Sequence, residues 1–198
     1  MKDLISSIDD VRDSMGNVID NRMKEFFKVS DLFSELCFCL LTANFNAARS
    51  IVIQKEIGDG FVNLEEEQLA DELKRLGHRF PNTRARYIVE ARKHKDNLKD
   101  ILQSTDPRGW LVKNVKGLGM KEASHFLRNV GKKDYAIIDF HIIDLLSKHK
   151  LIERPNILTP NRYLKIEEIL RKLSHKTRLS LGELDLYLWY LETGKILK

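Results

Sequence analysis

Apolar residues recur at helical spacing from Leu4 to about Lys28: Leu4, Ile5, Ile8, Val11, Met15, Val18, Ile19, Met23 and Phe26. The pattern predicts one long or two short amphipathic helices. Ser30-Asp31-Leu32-Phe33 reads as the capped start of the next helix, which runs through Glu35 to Leu41. Its apolar positions go nearly all the way round, so it is expected at the centre of the core. After Thr42-Ala43-Asn44-Phe45-Asn46 the spacing of Ile51, Val52, Ile53 and Ile57 predicts a helix ended by Gly58-Asp59-Gly60. Glu65 to Leu76 reads as a short helix stopped by Gly77. A basic loop, His78-Arg79-Phe80-Pro81-Asn82-Thr83, then leads into a helix from Arg84 to about His94.

Asp106-Pro107 opens another helix, reaching about Val115, where Lys116-Gly117-Leu118-Gly119 breaks the pattern and predicts a tight hairpin. Lys121 to Val130 is the next helix, with Gly131 as its stop. The run Tyr135-Ala136-Ile137-Ile138 leads to Asp139, placed to cap a helix from Phe140 to His149. Asn161–Leu173 and Ser180–Thr193 complete the chain. Pro is scarce and helix formers dominate, so the fold class is all-α.

Lys and Arg number 34 against 29 Asp and Glu, a net charge of +5. That balance suits a polyanionic partner without demonstrating one. No apolar run approaches the roughly 20 residues that a membrane helix needs. Cys37 and Cys39, two apart on a helix, point to different sides, so they form neither a bridge nor a metal clamp and read as small core residues. A soluble, intracellular protein is expected.

The hairpin carries the first chemistry. Without Cβ atoms at Gly117 and Gly119, a phosphate can approach a helix N-terminus, with Lys113, Lys116 and Lys121 adding charge; a plain turn is the alternative. Lys121 lies in the first turn of its helix, where the macrodipole disfavours a cation and favours the free amine a nucleophile requires. Taken alone, it reads first as a solvated lysine. Asp139 follows an apolar run, so its carboxylate is expected at the mouth of the core. There it stabilises an oxocarbenium-like sugar, caps its helix, or does both. His141 either donates to a phosphate or completes the first helical turn.

Gly117-Leu118-Gly119-Met120-Lys121-Glu122-Ala123 followed by Ala136-Ile137-Ile138-Asp139-Phe140-His141 resembles the helix-hairpin-helix motif and aspartate of the endonuclease III superfamily of DNA glycosylases. Lys121 to Gly131, Leu40 to Phe45 and Glu183 to Leu191 resemble, more narrowly, the archaeal-type 8-oxoguanine DNA glycosylase/lyase. The resemblance implies two helical lobes with the active cleft between them: residues 1–28 plus 132–198, and residues 29–131 ending in the motif at about 108–131. It implies double-stranded DNA containing 8-oxoguanine as partner and extrusion of the damaged base. Lys121 then displaces that base at C1′ and β-elimination follows through an imine. A monomer in a prokaryotic cytoplasm, beside the chromosome, is expected.

By the same resemblance Asn44 fills the gap left by the extruded base, and Arg49 and Arg84 read the orphaned cytosine. Otherwise Asn44 caps a helix and the arginines pair with surface carboxylates. Phe80 either wedges into the stack or packs under its own loop. Trp189 and Lys198 match the base pocket, the indole offering a stacking face. Whether the Lys198 side chain or a terminal carboxylate meets the base stays open, as does Trp189 in the core. Asp185, one turn earlier, either orients the pocket or is a surface charge. No cysteine follows Cys39, so no iron–sulfur cluster is expected; no metal-ligand spacing is present and no cofactor is expected.

Overall fold

The computed structural model describes all residues, Met1–Lys198, and is all-α. The helices are α1 (Lys2–Phe26), α2 (Leu32–Thr42), α3 (Ala47–Ile57), the short α4 (Gly60–Asn63), α5 (Glu66–Arg75) and α6 (Pro81–Ala91). A 3-10 turn (Arg92–Asn97) precedes α7 (Leu98–Gln103), α8 (Pro107–Asn114), α9 (Met120–Asn129), α10 (Phe140–Lys148), α11 (Pro160–Thr177) and α12 (Leu181–Thr193). No helix is long and apolar enough to cross a membrane.

The ends of these helices follow local chemistry. Asp31 accepts from Ser34 N at the start of α2, and Ser180 and Glu183 form a capping box on α12. Gly77 and Gly131 take positive φ (76° and 88°) directly after α5 and α9, as stop glycines do. The first amphipathic stretch is one continuous helix. Helix α6 begins at Pro81, earlier than the expected start at Arg84, because proline is well suited to the first helical position, where its missing N–H costs nothing. The short α4 and α7 carry too few turns to print a period.

The chain divides into two compact units: Met1–Lys28 with Leu127–Lys198, and Val29–Phe126. The second boundary falls inside α9, ahead of the glycine that ends it. In the second unit α2 is the central helix, and Leu36 through Leu41 are fully buried. Cys37 and Cys39 are free thiols within that core, and burial pushes the Cys37 thiol well up from its ordinary value. In the first unit α12 packs on α1, α10 and α11, around Leu4, Ile8, Ile19, Tyr163 and Leu173.

Candidate active site

The hairpin lies in the second unit. Gly117 has φ +94°, and a Cβ there would sit 2.3 Å from the Tyr87 ring and 3.2 Å from Leu40. Glycine is required here by both backbone and packing. The Gly119 N–H, expected to be open to a phosphate, donates to Glu122 Oε2 at 3.2 Å. Glu122 thus holds the first turn of α9. Lys121 stands in that turn with its side chain about one-quarter exposed, Nζ 3.8 Å from Glu122 Oε1. A partly shielded amino group beside a carboxylate is an arrangement that amine nucleophiles use. Underneath, His125 meets Phe38 edge to face, and Arg108 donates to Ser124.

The same unit carries the residues expected at the gap and the orphan base. Asn44 is exposed and left-handed (φ +56°) at the tip of the turn after α2. It does not cap α3; Asn46 does, accepting from Arg49 N at 3.0 Å. Arg84 differs from the open fork expected of it. It is buried (7% exposed), donates through Nη2 to Ala43 O at 2.6 Å, and lies between the Phe80 and Tyr87 rings. Its Nε is shielded without a partner, and burial lowers its pKa. Arg49 is exposed but folds onto the backbone after α5, Nη2 3.4 Å from Leu76 O. Neither arginine pairs with a carboxylate in these contacts. Phe80, half-buried, is covered by Arg79.

In the first unit Asp139 caps α10, its Oδ1 accepting from Ile142 N at 3.0 Å. The segment before it is held from α11. Ile138 N donates to the Tyr163 hydroxyl (3.1 Å), which donates to Ala136 O (2.7 Å), while Ala136 N donates to Glu167 Oε2 (3.0 Å). Asp139 therefore stands on a fixed backbone with its second carboxylate oxygen outside the cap. His141 follows on α10, tilted against Phe140 and edge-on to Trp189 with centroids 4.9 Å apart. Trp189 is half-buried, and its Nε1 is shielded without a hydrogen-bond partner in the protein. One turn earlier Asp185 Oδ2 accepts from Arg128 Nη1 at 2.8 Å. Asp185, its side chain 10% exposed, thus anchors α12 and is not a plain surface charge. Lys198 is half-buried beyond α12.

A family model for 8-oxoguanine DNA glycosylase matches residues 19–179. The chain belongs to that family. It is 52% identical to the 8-oxoguanine DNA glycosylase/AP lyase of Korarchaeum cryptofilum, covering 99% of this chain and 98% of that one. The crystal structure of the 8-oxoguanine DNA glycosylase of Thermotoga maritima superposes with a TM-score of 0.95 at 45% identity over 100% of both chains. The Methanocaldococcus jannaschii glycosylase/lyase in complex with a 15mer DNA containing 8-oxoguanine superposes with a TM-score of 0.94 at 51% identity, over 98% of this chain and 99% of that one.

For this member of the 8-oxoguanine glycosylase family, sequence reasoning alone did not find several supporting residues: Glu122, Tyr87, His78, Tyr163, Glu167 and Arg128. Only Glu122 had a local signal, standing three residues after Gly119 as a capping-box glutamate does. The others act on backbone or side chains far along the chain, which no spacing rule reports. No three His, Cys, Asp or Glu side chains come together where they could hold a metal ion.

Proposed function

We propose that this chain excises 8-oxoguanine from duplex DNA and then cleaves the strand at the resulting site. The observation that carries the reading is the near full-length match to glycosylase/AP lyases of 52% identity, in a chain with an amine in the first turn after a helix hairpin.

The chemistry runs through residues whose roles are part of the proposal. The Lys121 amine attacks C1′ of the everted nucleotide as the C1′–N9 bond breaks, and the purine leaves with that electron pair and takes up a proton. The Asp139 carboxylate offsets the positive charge that develops on the sugar. Loss of a proton from the amine and opening of the sugar ring give an imine between Lys121 and C1′. Removal of a C2′ proton then expels the 3′ phosphate, and water releases the lysine.

Trp189 supplies a flat face for the purine and, through its unpaired Nε1–H, a donor in a low-dielectric setting where a donor is worth most. Lys198 completes the base pocket. Asn44 and Phe80 enter the duplex where the base has left, Arg84 shapes their loops, and Arg49 stands beside them. His141 and the hairpin around Gly117 and Gly119 lie along the phosphates, which makes binding salt-dependent. The work is done in the cytoplasm, with the chromosome.

A panel of lesion duplexes tests the substrate. Release of 8-oxoguanine with thymine glycol left in place is expected. Robust removal of thymine glycol with 8-oxoguanine untouched overturns the assignment.

A further inference from the structure

His78 is buried (5% exposed) between α5 and α6, and both ring nitrogens are used. Nδ1 lies 3.0 Å from the Phe80 N–H, which donates to it, so Nδ1 carries no proton. Nε2 therefore bears the hydrogen and donates to Leu41 O at 3.0 Å. Leu41 lies in the last turn of α2, just before the Asn44 turn, and the Phe45 ring of that turn lies on the His78 ring, centroids 4.2 Å apart. Arg84 makes a second tie between the same two loops, from Ala43 O to the face of Phe80. The turn bearing Asn44 and the loop bearing Phe80 are thus fastened to each other by one neutral imidazole and one guanidinium.

We propose that His78 is a positioning residue for base extrusion, its neutral Nε2–H tautomer joining the Asn44 turn and the Phe80 loop into one rigid two-pronged element. The inference rests on the reading in which those two side chains enter the duplex. Its physical content is preorganisation. Two loops that already hold their inserted geometry lose little further freedom on DNA, so less of the extrusion cost is left for contacts with DNA to meet.

Protonation breaks the arrangement, since an Nδ1–H would face the Phe80 N–H. Burial first, and then the charge of Arg84, lower the pKa of His78 against the opposing hydrogen bond to Leu41, so the neutral form prevails at neutral pH. The elements around it also carry Arg79 on its own loop, Arg49 on α3, Arg86 and Glu90 on α6, and on α5 Glu66, Glu67, Asp71 and Lys74 with the Glu72–Arg75 pair.

Two substrates isolate the effect: duplex carrying 8-oxoguanine, which requires extrusion, and a single strand carrying a preformed abasic site, which does not. His78→Leu removes both bonds. It is expected to slow single-turnover excision from duplex at least about tenfold, while borohydride trapping on the single strand changes less than about threefold. His78→Asn, whose Oδ1 can replace the Nδ1 acceptor, is expected to recover most of the duplex rate. The wild-type ratio of duplex to single-strand rate should fall as acid protonates His78, and His78→Asn should lack that limb. Equal losses on both substrates, or no loss on duplex, overturn the proposal. A wild type that traps on the single strand but excises nothing from duplex fails the parent reading instead.

Discussion

Arg128 and Asp185 form an ion pair, Nη1 to Oδ2 at 2.8 Å, with side chains only 3% and 10% exposed. The pair ties the last turn of α9 to the first half of α12. Arg128 also lies over the Phe26 ring of α1, 4.7 Å from its centroid, and donates through Nε to Asn129. Gly182 admits this contact: a Cβ there would meet Arg128 Cγ at 3.1 Å and Lys133 Cα at 3.3 Å, and its N–H donates to Lys133 O. The register of α12, and with it the place of Trp189 one turn on, follows from these contacts.

Removing one partner leaves a buried charge unpaired, which costs far more than the pair itself contributes. Asp185→Leu is expected to lower unfolding free energy by about 3–5 kcal/mol, read by chemical denaturation. A variant within about 0.5 kcal/mol of wild type, the range of ordinary surface substitutions, would show that Asp185 is not an anchor.

Asp139 caps α10, and one substitution separates that cap from the chemical role proposed for it. Asn retains the oxygen that caps α10 but has no charge to set against a developing cation. Asp139→Asn should melt within a few degrees of wild type and bind duplex normally, yet excise 8-oxoguanine slower by orders of magnitude in single turnover. Wild-type turnover would remove Asp139 from the chemistry.

His78 also leaves a mark on stability. Its folded pKa lies below the ordinary 6.5, so above that pH neither state binds the proton and its contribution is complete. As pH falls, the unfolded chain protonates first and stability is lost, until the folded imidazole protonates too. The gap in melting temperature between wild type and His78→Asn should therefore narrow on acidification below about pH 6.5. A gap that widens in acid would contradict the neutral assignment.

What could be read from sequence was what is local. Asp31, Asp139 and Ser180 announce helix starts because a cap works on residues three positions away, and Gly77 and Gly131 announce ends because only the local φ matters. The placing of Lys121 in the first turn after the hairpin and of Asp139 at the cap of α10 was legible through the motif around each. The protein partners of Arg84 and Asp185 were not legible, because charge type says nothing about burial. Arg84 turned inward to Ala43 O, 41 residues back, and Asp185 met Arg128, 57 residues back. His78 read as part of a basic loop, and nothing near it names Leu41, 37 residues earlier, as its partner.

The central claim is that the Lys121 amine forms a covalent imine with the sugar of the damaged nucleotide. Borohydride reduction during reaction with an 8-oxoguanine duplex tests it directly, because reduction makes that bond permanent. Wild type is expected to give a protein–DNA adduct whose modified peptide carries Lys121, and Lys121→Gln to give none while still binding the duplex. An adduct of wild-type yield in Lys121→Gln, or none in wild type as the base is released, would contradict the account.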